Sequence, residues 1–199
     1  MKLVLATQNS GKISEFRQIL ADMSGISMRS LLDYPTIPDI NENRRTFAGN
    51  SIKKAIEVSK HTNIAALADD SGLEVDALNG NPGVLSARYA GKNATSDQLI
   101  SKVLKELEGT PDIKRTARFR CAIALVTPSC TDGMVIEVVE GICEGKITLK
   151  KQGEHGFGYD SIFVPLGHNQ TFAELGSEIK NKISHRAKAL KLITKIIQA

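Results

Sequence analysis

Tryptophan is absent from this chain, its other aromatics stop at six Phe and three Tyr, and only three cysteines occur in 199 residues. So few rings argue against a surface that stacks on a run of exposed bases. Cys121, Cys130 and Cys143 are odd in number and lie in no C-x-x-C or Cys/His spacing, so neither a disulfide framework nor a zinc site is suggested. Two longer features are also lacking. No apolar run approaches the length of a membrane span, and the N-terminus has no charged segment followed by an apolar stretch. Nor is there a run of five like charges, so the net charge of +4 is a mild, dispersed excess that favours anionic ligands without implying nucleic acid. The expectation is a soluble cytoplasmic protein with no membrane and no nucleic-acid partner.

What remains is an ordinary apolar fraction of 41%, enough for one substantial core or for two small lobes sharing a cleft. KLVLA reads as a strand, and Ile13, Phe16, Ile19, Leu20 and Met23 then recur at helical spacing until Gly25. After a strand near ISMRSLL comes DYPTIPDINENRR, a polar connection without periodicity, of a length that compact domains keep for function. Thr46 can cap a helix to about Lys60 that buries Phe47, Ile52, Ala55, Ile56 and Ser59. NIAALA reads as a short buried strand ended by DDSG, and LEVDAL as a second strand followed by the turn NGNPG. Ser96 or Asp97 starts a helix to Gly109. RTARFRCAIALVTP and MVIEVVEGICEGKITL, joined by SCTDG, read as an antiparallel pair. A glycine-rich QGEHGFGYD, a strand IFVP and two helices close the chain. The order predicts an α/β architecture on a mixed sheet, with no linker dividing the chain, and a cleft between two lobes would be the natural ligand site.

Four segments can carry chemistry. SGK in TQNSGK looks like the end of a P-loop, but Ala6 and Ile13 stand where that motif requires glycine and a hydroxyl, so it is not one. A lysine in a polar strand-to-helix loop is left to explain. Asp69 and Asp70 follow an apolar strand, and side chains on an extended chain alternate, so one carboxylate should face a ligand while the other bonds locally. Mg²⁺ needs only one or two protein carboxylates besides phosphate oxygens and water; Asp70 could supply one, with Glu42, Asp39 or Glu74 as its companion. In GFGYD two glycines flank Phe157 and allow close approach to its ring, although composition alone favours a tight turn with Phe157 and Tyr159 packed into the core. In SHRAKAL, Ser184 can cap a helix whose first turn holds His185 and Arg186, cations at the wrong end of the helix dipole unless an anion or polar ligand meets them.

Taken in order, TQNSGK, TFAGNSIKKA, ADDSGLEVDAL, NPGVLSARYAG, RTARFRC, GFGYDSIF and SHRAKAL span nearly the whole chain, which thereby resembles the inosine triphosphate pyrophosphatase family, the HAM1-like non-canonical purine NTP pyrophosphatases. The resemblance implies an α/β fold, two-lobed with a long mixed central sheet, flanking helices and the active-site cleft between the lobes, residues 1–199 forming a single domain; it also implies a homodimer and Mg²⁺-dependent hydrolysis of ITP, dITP and XTP to the monophosphate and pyrophosphate. By the same resemblance, Thr7, Gln8, Asn9, Ser10, Gly11 and Lys12 form the phosphate-side loop, and Lys54 adds a second cation. Asp70 is the proton acceptor and a metal ligand, Glu42 is the second metal carboxylate, and Ser71 lies beside them. Phe157 stacks on the base, Gly158, Tyr159 and Asp160 wall its pocket, and Lys180, His185 and Arg186 read the purine edge. The chain departs from the family pattern T-F-x-E-N-A, with Gly49 and Ser51 in place of an acid and an alanine; Leu85 and Ser161 replace a common tyrosine and proline.

Overall fold

Leu3, Val4 and Leu5 of β1 (Lys2–Leu5) are all buried, so this strand is covered on both faces, as a continuous apolar run requires. In the computed structural model, which describes residues 1–21, 23, 25–129 and 133–198, β1 lies between β2 (Ser27–Ser30) and β3 (Ala65–Val75) and runs parallel to both. Helices make the crossovers such parallel pairs need: α1 (Ser10–Ile19) and α2 (Phe47–Thr62). Asn9 caps α1 by accepting from the N–H of Lys12, and Thr46 caps α2 by accepting from that of Gly49. Residues 34–46 carry no strand or helix, in keeping with the polar connection expected there.

The chain continues through α3 (Ser96–Glu106), β4 (Thr116–Ser129), β5 (Gly133–Ile147), β6 (Phe163–Pro165), α4 (Phe172–Ile183) and α5 (His185–Gln198). Sheet order is β2-β1-β3-β4-β5-β6, with β6 antiparallel to β5, so the sheet is mixed and the fold α/β. β4 and β5 are neighbours joined by three residues, too few for a parallel crossover, and are therefore antiparallel as expected. Cys130 and most of the SCTDG turn lie outside the described residues. Among the described residues no helix is long and apolar enough to cross a membrane.

Two compact units emerge, one of residues 1–70, 121–141 and 188–199, the other of residues 71–120 and 142–187. In the first, Leu3, Leu5 and Leu67 meet Phe16 of α1, Leu20 at its C-cap, and Leu190 and Ile193 of α5, while Val4, Ala66 and Ala68 on the opposite sheet face meet Ala55 and Val58 of α2. Alternation along β1 and β3 thus sorts side chains between two cores. The second unit packs Leu73 and Val75 against Leu99, Ile100 and Val103 of α3 and a ring cluster of Phe119, Phe163 and Phe172. Phe163 lies 4.6 Å from Phe119 and 5.4 Å from Phe172 between centroids.

Three expectations need correction. DDSG does not end a strand: β3 continues unbroken for 11 residues from Ala65 to Val75. Asp69 and Asp70 find partners on either side of the sheet, so the chain need not turn outward to solvate them. α2 is rotated from the face its apolar residues suggest; Asn50, Ser51 and Lys54 are buried, and Ile52 and Ile56 only half so. α3 stops at Glu106, three residues before the glycine expected to end it.

Arg115 fastens the second unit from within. Only 2% exposed, it donates from Nε to the carbonyl of Ile147, from Nη1 to that of Leu107 and from Nη2 to that of Thr148, at 3.0, 2.9 and 2.7 Å. One guanidinium therefore satisfies the end of α3, the end of β5 and the residue beyond it. Arg115→Ala is expected to lower stability by about 2–4 kcal/mol in urea unfolding, because buried carbonyls lose a charged donor. Arg115→Lys should recover only part of it, since one ammonium cannot span the three acceptors.

Candidate active site

Asp69 and Asp70 sit side by side on β3 and point to opposite faces, as alternation requires. Asp69, on the α1 side, forms an ion pair with Lys12 at 3.0 Å. Asp70, on the α2 side, accepts at Oδ2 from Nδ2 of Asn50 at 2.8 Å. One turn beyond Asn50, Lys54 donates to the Asp69 carbonyl at 2.6 Å and pairs with Glu42 of the long connection. Three carboxylates and two lysines thus gather within the first unit. Thr7, Gln8, Asn9, Ser10 and Gly11 bring the chain to the start of α1; Thr7 Oγ1 accepts from Asn9 N–H, and Gln8, Asn9 and Ser10 are exposed.

Burial sets the charge states here. Desolvation pushes the Asp70 carboxyl up, and the Glu42 charge adds to it, outweighing Lys54, Lys12 and the Asn50 hydrogen bond. For Lys54 burial opposes the charged form, yet Glu42, Asp69 and Asp70 together raise its pKa, so it stays an ammonium. Of the three companions considered for Asp70, Glu42 is the one whose charge acts on it; Glu74 faces Arg118 and Arg120 at 3.9 and 3.8 Å. Two carboxylates that repel suit a hard divalent cation, which would relieve both. No group of three His, Cys, Asp or Glu is arranged for a metal among the described residues, so such an ion would complete its shell with phosphate oxygens and water. Gly49 offers no acid, and a Cβ there would come within 3.0 Å of both Arg44 Cβ and Thr46 Oγ1.

The second unit holds the other set. Gly156 has φ 83°, and a Cβ on it would lie 2.2 Å from Asp160 Oδ2, so glycine lets that carboxylate tuck beneath its own loop. The same oxygen accepts from the N–H of Phe157 at 2.9 Å and from Lys180 Nζ at 2.5 Å. Lys180 then lies 4.4 Å from the Phe157 ring centroid, and the Arg186 guanidinium carbon 6.0 Å from it. Ser184 caps α5 by accepting from Ala187 N–H at 3.2 Å, which fixes His185 and Arg186 in the first turn as expected. Arg186 is 1% exposed and donates to Ser71 Oγ at 2.8 Å; His185 stacks on Phe119 at 4.8 Å. A cavity of about 230 Å³ opens beside Phe157 and Gly158, bounded also by Ser96, Lys151 and His155.

Within the first unit the structure gathers Lys12, Glu42, Lys54 and Asp70; within the second it gathers Ser71, Phe157, Gly158, Asp160, Lys180, His185 and Arg186. Tyr159 is turned inward instead, 4% exposed, with its hydroxyl donating to the Ser86 carbonyl at 2.9 Å. Asn50 was not foreseen. Its signal is its spacing: Asn50 and Lys54 stand four apart on one helical face, two polar residues where an amphipathic helix should be apolar.

Residues 3–196 match the family model described as Ham1 family. The chain is 47% identical over 197 residues to the dITP/XTP pyrophosphatase of Shouchella clausii, covering 99% of this chain and 96% of the relative. It is 47% identical over 196 residues to the dITP/XTP pyrophosphatase of Bacillus subtilis, covering 98% and 96%. Among solved structures, a HAM1 protein from Coxiella burnetii superposes with a TM-score of 0.88 at 43% identity, covering 100% of this chain and 98% of that one.

Ionising Asp70 in the fold is disfavoured relative to the unfolded chain, so its contribution to stability is greatest below the ordinary carboxylate range and is lost as pH rises through its raised value. Asp70→Asn is therefore expected to match or exceed the wild type in thermal unfolding at pH 7, and to lose that advantage as the pH is taken towards 4. A large loss of stability at pH 7 would contradict the assignment of burial as the dominant influence.

Proposed function

Because the chain belongs to the Ham1 family, we propose that it is a Mg²⁺-dependent nucleoside-triphosphate pyrophosphatase that hydrolyses ITP, dITP and XTP to the monophosphate and pyrophosphate. The observation that carries this reading is the grouping of a buried, raised-pKa carboxylate with Glu42, Lys54 and Lys12, at the end of a chain segment that opens a helix. Residues 1–199 act as one catalytic domain.

Water adds to the α-phosphorus as the bond to the oxygen bridging the β-phosphate breaks. Pyrophosphate departs with that electron pair, and the proton lost by water passes to Asp70. Lys54, kept charged by its carboxylates, meets the growing negative charge without reorganising. Lys12 exchanges Asp69 for phosphate, and the segment Thr7–Gly11 brings the main-chain N–H groups of Ser10 and Gly11 to the start of α1, where anions are favoured. Mg²⁺ held by Asp70 and Glu42 would neutralise phosphate charge and polarise the phosphoryl group.

In the second unit Phe157 offers a ring face for a purine, backed by the Lys180 cation. Gly158 and the main chain of Tyr159 flank that ring, while Asp160 holds Lys180 in place. Lys180, His185 and Arg186, with Ser71 beside Arg186, present donors to the C6 carbonyl shared by hypoxanthine and xanthine. Adenine would set an amino group against those donors, and unpaired polar groups of that kind support discrimination of about 10⁴. Two supplementary readings complete the proposal. Val135, Ile136 and Val138 on β5 are exposed and suit a homodimer, and the buried thiols of Cys121 and Cys143 suit a reducing cytoplasm.

The test is pyrophosphate release from ITP, dITP, XTP, ATP and GTP with Mg²⁺. The first three should be turned over at least about 100-fold faster than ATP; equal turnover of ATP would remove the selectivity, and dependence on no divalent metal would remove Mg²⁺. Asp70→Asn should lose about 10²–10⁴-fold in kcat. Phe157→Ala should raise KM by roughly 5- to 150-fold, the worth of one stacked base.

A further inference from the structure

Asn50 is fully buried on α2, and both ends of its amide are used. Its Oδ1 accepts from the main-chain N–H of Arg44, and its Nδ2 donates to Oδ2 of Asp70, each at 2.8 Å. The first bond dictates the second. A backbone N–H can only donate, so the amide oxygen must face Arg44 and the amide nitrogen must face Asp70; turned over, the amide would oppose donor to donor and acceptor to acceptor.

We propose that Asn50 is a positioning residue for hydrolysis: it occupies Oδ2 of Asp70 with a permanent donor and stops the carboxylate rotating, which holds the proton acceptor in one orientation. This role rests on the reading of Asp70 as proton acceptor given above. Further along the same helix α2 buries Ala55 and Val58 in an apolar cluster with Ala66 and Ala68, so its packing does not by itself call for an amide. A fully buried amide is costly unless both its ends are paired, and the partners Asn50 has are the reactive carboxylate and the connection that carries Glu42. Arg44 lies two residues after Glu42, and Lys53 fastens the same connection by donating to the Asn41 carbonyl and to Asn43 Oδ1 at 2.8 and 3.1 Å. Through one side chain, the orientation of Asp70 is registered to the segment that holds the second carboxylate.

The experiment measures kcat and KM for ITP with Mg²⁺, together with thermal unfolding, in Asn50→Ala and Asn50→Asp, each alone and in an Asp70→Asn background. Removing a group that orients a reacting ligand typically costs 10- to 100-fold, so kcat should fall by about that factor while KM stays within roughly threefold. With Asp70 already replaced there is no carboxylate to aim, and the Asn50 change should cost little further residual turnover. Asn50→Asp preserves shape and the acceptor for Arg44 but withdraws the donor, so it should lose kcat even if Asn50→Ala fails to fold. Retained kcat in a folded variant, or the full loss repeated in the Asp70→Asn background, would overturn this role alone. A wild type that releases no pyrophosphate from any of the nucleotides would overturn the function and the role together.

Discussion

Side chains two residues apart on an extended strand share a face, and β3 obeys that rule without a break through Asp69, Asp70 and Ser71. Ala65, Leu67 and Asp69 look towards α1; Ala66, Ala68 and Asp70 look towards α2. Everything at the candidate site follows from this. Had the strand ended at Asp69, both carboxylates would have been turn residues in water, and neither Lys12 nor Asn50 would have met its partner. The chain also passes from one compact unit to the other at the bond between Asp70 and Ser71, so that one strand supplies the acid of the first and a hydroxyl partner of Arg186 in the second.

Charge burial is the second constraint. Lys54, Asp69, Asp70, Asp160, Lys180 and Arg186 are all nearly inaccessible, a company that a folded chain tolerates only when its members are paired. In each unit the lysines are held by carboxylates, Lys12 by Asp69, Lys54 by Glu42 and Lys180 by Asp160. An anionic substrate at the proposed site would therefore exchange partners with cations already in position. That arrangement carries a cost, visible in the raised pKa of Asp70, and such costs concentrate where function needs them.

Much of the fold was legible because local rules decided it. Apolar periodicity marked the helices, and Thr46, Ser184 and the alternation at Asp69–Asp70 did what their types predict. The rotation of α2 was not legible. Ile52 and Ile56 advertised one face by hydrophobicity, but the helix turns to bury Asn50 and Lys54 because their hydrogen-bond partners lie on a strand remote in sequence. The continuity of β3 was hidden for the same reason: consecutive aspartates read as a turn until their partners are known. Tyr159 likewise reads as a ligand contact from its motif and is drawn into the core by the Ser86 carbonyl.

The sequence by itself determined the family, the α/β class, the strand-to-helix placement of Lys12 and the opposed directions of the two aspartates, because each of these depends on residues near one another in the chain or on an ordered string of motifs. Only the tertiary structure decided which carboxylate neutralises each lysine in place, and that Asn50 links Arg44 to Asp70. Those choices depend on pairings between segments whose separation along the chain carries no trace of their separation in space, and on burial, which no single residue reports.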